Sequence, residues 1–183
     1  MLKRLNMTLK KTLHATSKGT EKVQKQRLDF WGKIQNIVAK NLIFIDQSGV
    51  NLALVRLQAR SPQGQRAYGN RPNKRGKNVS IIGALGFNGM IAQSSFIGGT
   101  DALTFEAFIS QKLVPKLWAG ACVIMDNCSI PKNNTIRTLI ESAGATLLYL
   151  PTYSPEFNPI ENCWSKIKSI LRQISARNYP DAS

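Results

Sequence analysis

The rhythm of apolar and polar positions changes near residue 41. Before it, TEKVQKQRLDFWGKIQNIVAK (residues 20–40) spaces Leu28, Trp31, Ile34 and Val38 at steps of three and four, the period of one helix face. That spacing predicts an ordinary packing helix, docked by this stripe on the domain that follows. Beyond it come short apolar runs of strand length: LIFID, NVSIIGALG, GMIAQSSFI, ACVIMD and TLLYLP. Two helical stretches separate the later runs. DALTFEAFISQKLVPKLW carries Leu103, Phe105, Phe108, Ile109, Leu113 and Leu117, while PKNNTIRTLIESAG opens on Pro131 and closes on Gly144, the usual punctuation of a helix. Asn88-Gly89, between the second and third runs, signals a hairpin and so an antiparallel pair. Three strands followed by alternating helix and strand predict an α/β fold, a mixed sheet of about five strands flanked by helices.

Composition bounds the function. With 183 residues and 43% apolar content, the chain suits one domain plus an arm. No apolar run is long enough to span a bilayer, and MLKRLNMTLKKTLHATSKGT lacks the uninterrupted apolar centre of a signal peptide. The expected location is the cytoplasm, with no membrane partner. Cys122, Cys128 and Cys163 form no CxxC pairing and His14 is the single histidine, which argues against a disulfide framework or a zinc site. The cysteines read as buried small hydrophobes.

A net charge of +15 draws the chain towards polyphosphate, so nucleic acid is the leading partner. Charge alone leaves open a nucleic-acid enzyme, a ribosomal-type structural protein and a merely soluble basic surface. Residues 1–40 hold ten Lys and Arg against only Glu21 and Asp29, a basic arm ending in the predicted helix. Arg66, Arg71, Lys74, Arg75 and Lys77 form an acid-free loop between strands, which reads as DNA-backbone contact, with an ordinary solvated loop as the alternative and Tyr68 available to stack on a base. Trp118 and Trp164 read as core residues.

The ten acids then become informative. Asp46 and Asp126 each follow an apolar strand run, where α/β sheets collect their ligands, although a strand-ending Asp also serves as a turn or capping residue. Glu161 follows a third strand and the proline-rich loop of LYLPTYSPEFNPIENCWSKIK. Three converging carboxylates repel one another unless cations lie between them. Mg²⁺ or Mn²⁺ fits, as a pair of ions about 4 Å apart that activates a water or hydroxyl and stabilises the leaving oxygen of a phosphodiester. Lys166 and Lys168 follow Glu161 along the same helix and can meet phosphates. Glu156 is the rival third carboxylate; Glu161 is preferred because it starts a rigid helix after Asn-Pro-Ile. Asn127 and Lys132, just after Asp126, suit either the metal shell and a phosphate or a plain turn and helix start.

FIDQSGVNLALVR, RGKNVSIIGALGFNG, MDNCSIPKN and LPTYSPEFNPIENCWSKIK resemble the catalytic core of DDE transposases of the mariner superfamily, in its bacterial insertion-sequence branch. The resemblance covers about residues 20–178, and the interval of about 34 residues between Asp126 and Glu161 is its most specific feature. It implies a ribonuclease-H-like fold, Asp46, Asp126 and Glu161 as the catalytic, metal-binding triad, and cut-and-paste movement of DNA. Double-stranded DNA, as transposon ends and target, is the implied partner, bound by a homodimer at the nucleoid. Gln47 stands where members usually carry Glu, and Pro131 where His is common. The expected division is a basic arm and linker helix over 1–40, the core over 41–178 and a tail over 179–183. With no helix-turn-helix region ahead of the core, the expectation is a catalytic fragment. A ribonuclease-H-like nuclease that cuts without joining, and a non-catalytic DNA-binding remnant, are the alternatives.

Overall fold

The computed structural model describes residues 20–55, 59–70, 72–73, 76–126 and 134–175. Outside them lie Arg71, Lys74, Arg75 and Lys132 from the expected DNA-binding set, Asn127, Cys128 and Pro131, residues 1–19 of the arm, and the tail.

Five strands form one sheet in the order β3-β2-β1-β4-β5. They are β1 (Leu42–Asn51), β2 (Asn78–Gly86), β3 (Gly89–Ile97), β4 (Cys122–Met125) and β5 (Thr146–Tyr149). The meander β1-β2-β3 is antiparallel, whereas β4 and β5 are parallel to β1 and to each other. The hairpin between β2 and β3 turns through Phe87 and Asn88, and Gly89 opens β3 at φ +124°, a conformation that glycine adopts without steric cost.

Strand β1 runs to Asn51, well past the apolar LIFID stretch, because its second half alternates against β2 with Val50 opposite Val79. Asp46 therefore lies mid-strand and not at a strand end. Pairing of β1 with β4 stops at Ile45 and Met125, so a gap opens beside Asp46 where the parallel partner ends.

Alternate residues of β1 face two cores. Ile43 and Ile45 join Val123, Leu147, Phe105, Phe108, Ile109, Leu113, Ile136 and Ile140 on one face, under α2 (Ala102–Phe108) and α3 (Asn134–Ser142). On the other face Val50, Val79 and Ile81 meet Ile160, Trp164 and Leu171 of α4 (Ile160–Ile174). The predicted helix over 101–118 is divided: α2 passes into a π-helical turn at Ile109–Leu113 and a 3-10 turn at Val114–Lys116. Pro115 accounts for this, since its ring has no N–H and clashes with the carbonyl four residues back in a regular α-helix. Leu103 is 77% exposed and belongs to no core.

Helix α1 (Glu21–Ile34) docks, but not by the predicted stripe. Leu28, Trp31 and Val38 are exposed; Val23 and Phe30 are buried, with Ile34 packed beside Phe30 against Cys122, Ile124 and Leu150. Spacing alone does not separate two apolar faces on one helix; the apolar surface formed by Cys122, Ile124 and Leu150 selects between them. Cys122 is buried as expected, Cys163 is only half-buried, and Trp118 is 38% exposed with its indole N–H on Asn41.

Candidate active site

The gap beside Asp46 is a cleft of about 180 Å³ lined by Asp46, Asp126 and Glu161 together with Tyr153, Ser154 and Asn158. Three different elements supply the carboxylates. Asp46 and Asp126 each follow the last paired residue of adjacent parallel strands, Ile45 and Met125, which brings both to the same end of the β1–β4 pairing. Glu161 comes from the first turn of α4, which the loop after β5 carries back over the other face of the sheet.

Trp164 joins Asp46 to α4. Its ring is 2% exposed, and its indole N–H donates to Asp46 Oδ2 at 3.0 Å. The ring fits because Gly83 lies opposite Asp46 on β2; a Cβ there would meet Trp164 Cη2 at 2.7 Å. The core role expected of Trp164 is correct, but the sequence does not reveal its bond to Asp46. A buried indole N–H requires an acceptor, and Trp164 lies three residues after Glu161 on the same helix side; those are the signals that point to it.

Burial pushes the Asp46 carboxyl up to about 6, and the charges of Glu161 and Asp126 push the same way. The backbone N–H of Gln47 and the Trp164 indole pull in the opposite direction. No basic side chain lines the cleft among the described residues. Asn158, 5% exposed in the cleft wall, keeps Oδ1 buried with no hydrogen-bond partner among the described residues.

These features fit a hard cation: the charged donors are all carboxylate oxygens, they repel one another, and an amide oxygen beside them is unsatisfied. Among the described residues, however, no three His, Cys, Asp or Glu side chains are gathered into a ready metal shell. The three carboxylates share the cleft wall without closing on one point.

Glu156 points elsewhere, forming a 2.6 Å ion pair with Arg27 of α1. Of the expected DNA-binding residues, Arg66, Lys77 and Lys166 are exposed and Lys168 is half-buried; none lines the cleft. Lys168, seven residues after Glu161, lies on its side of α4, whereas Lys166 is turned about 140° away. Tyr68 is 89% exposed.

A mixed β3-β2-β1-β4-β5 sheet with carboxylates at the end of its parallel half is the ribonuclease-H-like architecture. The chain belongs to the DDE superfamily endonucleases, whose family model matches residues 41–182. Its fold is similar to that of the Mos1 transposase paired-end complex with left transposon end: TM-score 0.72, 15% identity, over 93% of this chain and 55% of that one. The mariner Mos1 paired end complex with Mg gives 0.65 at 15% identity over 99% and 62%. The catalytic domain of Mos1 mariner transposase gives 0.56 at 12% identity over 90% and 76%. The chain spans a little over half the length of the first of these proteins. No curated protein matches it by sequence.

Proposed function

We propose that this chain is the catalytic core of a mariner-superfamily DNA transposase, of the bacterial insertion-sequence branch, which cleaves DNA strands and joins the freed ends to target DNA. One observation carries the reading: Asp46, Asp126 and Glu161, far apart in sequence, line one cleft that has no basic side chain in its described wall. The family match and the fold shared with transposase complexes bearing transposon ends support it.

In this reading Asp46, Asp126 and Glu161 hold two divalent cations, Mg²⁺ or Mn²⁺. When bound, these would activate the attacking oxygen and stabilise the leaving one. The protein's own work is placement. Trp164 orients Asp46 through its indole N–H, the rigid start of α4 aims Glu161, and buried Ile160 and Trp164 keep that end of the helix on the sheet. Arg66, Lys77, Lys166 and Lys168, which lie outside the cleft lining, hold the phosphate backbone, and Arg71, Lys74, Arg75 and Lys132 add to that charge. The working form is a pair of chains on paired DNA ends at the nucleoid.

The test is Mg²⁺-dependent nicking of DNA, followed by joining of pre-cleaved ends to target DNA. Asp46→Asn, Asp126→Asn and Glu161→Gln should each reduce nicking by about a hundredfold or more, since each removes a ligand charge worth several kcal/mol in the transition state. Glu156→Gln should have a much smaller effect. The opposite ranking of the two glutamates would show the third carboxylate to be misassigned, and nicking without joining would reduce the protein to a nuclease.

A further inference from the structure

The loop from β5 to α4 forms one wall of the cleft, and its conformation is not its own preference. Tyr153 has φ +57°, a left-handed backbone that is unfavourable for a non-glycine residue and persists only where its surroundings hold it. What holds this loop lies outside the family-matched region. Arg27 of α1 donates from Nη1 to Ser154 Oγ at 2.9 Å, pairs with Glu156 Oε1 at 2.6 Å, and places its guanidinium 4.7 Å from the ring centre of Phe157. Phe157 in turn stacks on Phe30 of the same helix at 5.7 Å.

These interactions lead directly to the carboxylates. Ser154 is 4% exposed and lines the cleft. From it a short relay of backbone bonds runs to α4: Phe157 N–H to Ser154 O at 3.1 Å, Asn158 N–H to Pro155 O at 2.9 Å, and Glu161 N–H to Asn158 O at 3.2 Å. Displacing residues 154–157 would therefore displace the start of α4 and Glu161 with it.

We propose that Arg27 is a positioning residue of the active site: it latches the cleft wall from behind, so that α1 is part of the catalytic unit and not a linker. The inference rests on the reading of Asp46, Asp126 and Glu161 as the metal-holding set. It also removes Arg27 from the arm's DNA-binding charge, because its guanidinium is engaged inward, with the side chain 18% exposed.

The experiment compares the full chain with Arg27→Ala, Glu156→Gln and the reversed pair Arg27→Glu with Glu156→Arg. It measures Mn²⁺ binding by calorimetry, amide hydrogen exchange and duplex DNA affinity. Arg27→Ala should weaken Mn²⁺ binding about tenfold, the scale of removing support behind a metal ligand. It should also speed exchange at Phe157, Asn158 and Glu161 while the amides of β1 and β4 stay protected and DNA affinity holds. Glu156→Gln, altering a more exposed partner, should give a smaller loss in the same direction, and the reversed pair should recover part of it.

Wild-type Mn²⁺ affinity and wild-type exchange in Arg27→Ala would overturn the proposal. So would exchange accelerated throughout the sheet, or a reversed pair no better than the worse single change. Asp126→Asn, measured alongside, separates the two readings: if it binds Mn²⁺ like the wild type, the carboxylate assignment itself has failed. If it loses Mn²⁺ while Arg27→Ala does not, only the latch has failed.

Discussion

Asp46 is held in a state that costs the metal-free protein stability. Its carboxyl titrates near 6 in the fold against 3.8 for the free group, because burial and then the charges of Glu161 and Asp126 oppose ionisation. The native state thus binds more protons than the unfolded chain between those values, so this group's contribution to stability falls as pH rises from about 4 to 6 and stays low above that. Asp46→Asn keeps an acceptor for the Trp164 indole and removes the charge. Without metal it should melt higher than the wild type at pH 7, keep only the smaller part of that advantage at pH 4.5 and lose it below about pH 3.8; with Mg²⁺ the wild type should gain and the variant should not. Equal melting of the two proteins at pH 7 would contradict the assigned strain. All three cleft acids were legible in the sequence because the chain has so few acids, and Asp46 and Asp126 each end an apolar run. The indole partner of Asp46 was not legible, since only the docking of α4 determines which acceptor the buried N–H of Trp164 meets.

At the scale of elements, the site depends on how closely α4 approaches β2. The register that sets Gly83 opposite Asp46 leaves room for the Trp164 ring, and Met90 Sδ would lie 3.1 Å from any Cβ at position 83. Gly83→Ala should therefore cost about 1–3 kcal/mol by overpacking a buried ring that its Cβ would meet at 2.7 Å. It should also lower cleavage, because the ring cannot shift and keep its bond to Asp46. Trp164→Phe tests the bond separately: an aromatic ring stays, the donor goes, and cleavage should fall about tenfold or more with a smaller change in the denaturation midpoint. Should the two variants lose stability and activity in the same proportion, Trp164 is packing alone. Strand number and order of types were readable from short apolar runs and Asn-Gly. The docking face of α1 and the extent of β1 were not, because each is decided by a partner: the end of β4 for α1, the pairing with β2 for β1.

Across the whole molecule, charge and chemistry are separated. The chain carries +15, yet the charged side chains lining the cleft are all acidic among the described residues, so under the proposed function the attraction for DNA would arise outside the cleft in which the phosphodiester reacts. The β1–β2 connection starts beyond Asn51, five residues past Asp46, about 17 Å away by the rise of a strand. Arg66 and Lys77 on that connection are exposed, and Lys166 and Lys168 follow Glu161 along α4; under the proposed function these are the described cations that would hold duplex flanking the cleft. Which of these cations meet phosphates depends on the path of the DNA, and charge counting in the sequence does not specify that path. Binding of this kind is driven by counterion release, so affinity should fall steeply with salt. Changing Lys166 and Lys168 together to Ala should flatten the plot of log affinity against log salt by up to about two units, close to 0.9 for each phosphate that is no longer neutralised. Asp126→Asn should leave that slope unchanged and, without metal, tighten binding, because it removes one of the cleft's repelling charges. A filter-binding titration at several salt concentrations checks both. If the lysine pair leaves the slope as it was while Asp126→Asn changes it, the DNA does not run along α4, and the phosphate-binding face must be sought elsewhere on the molecule.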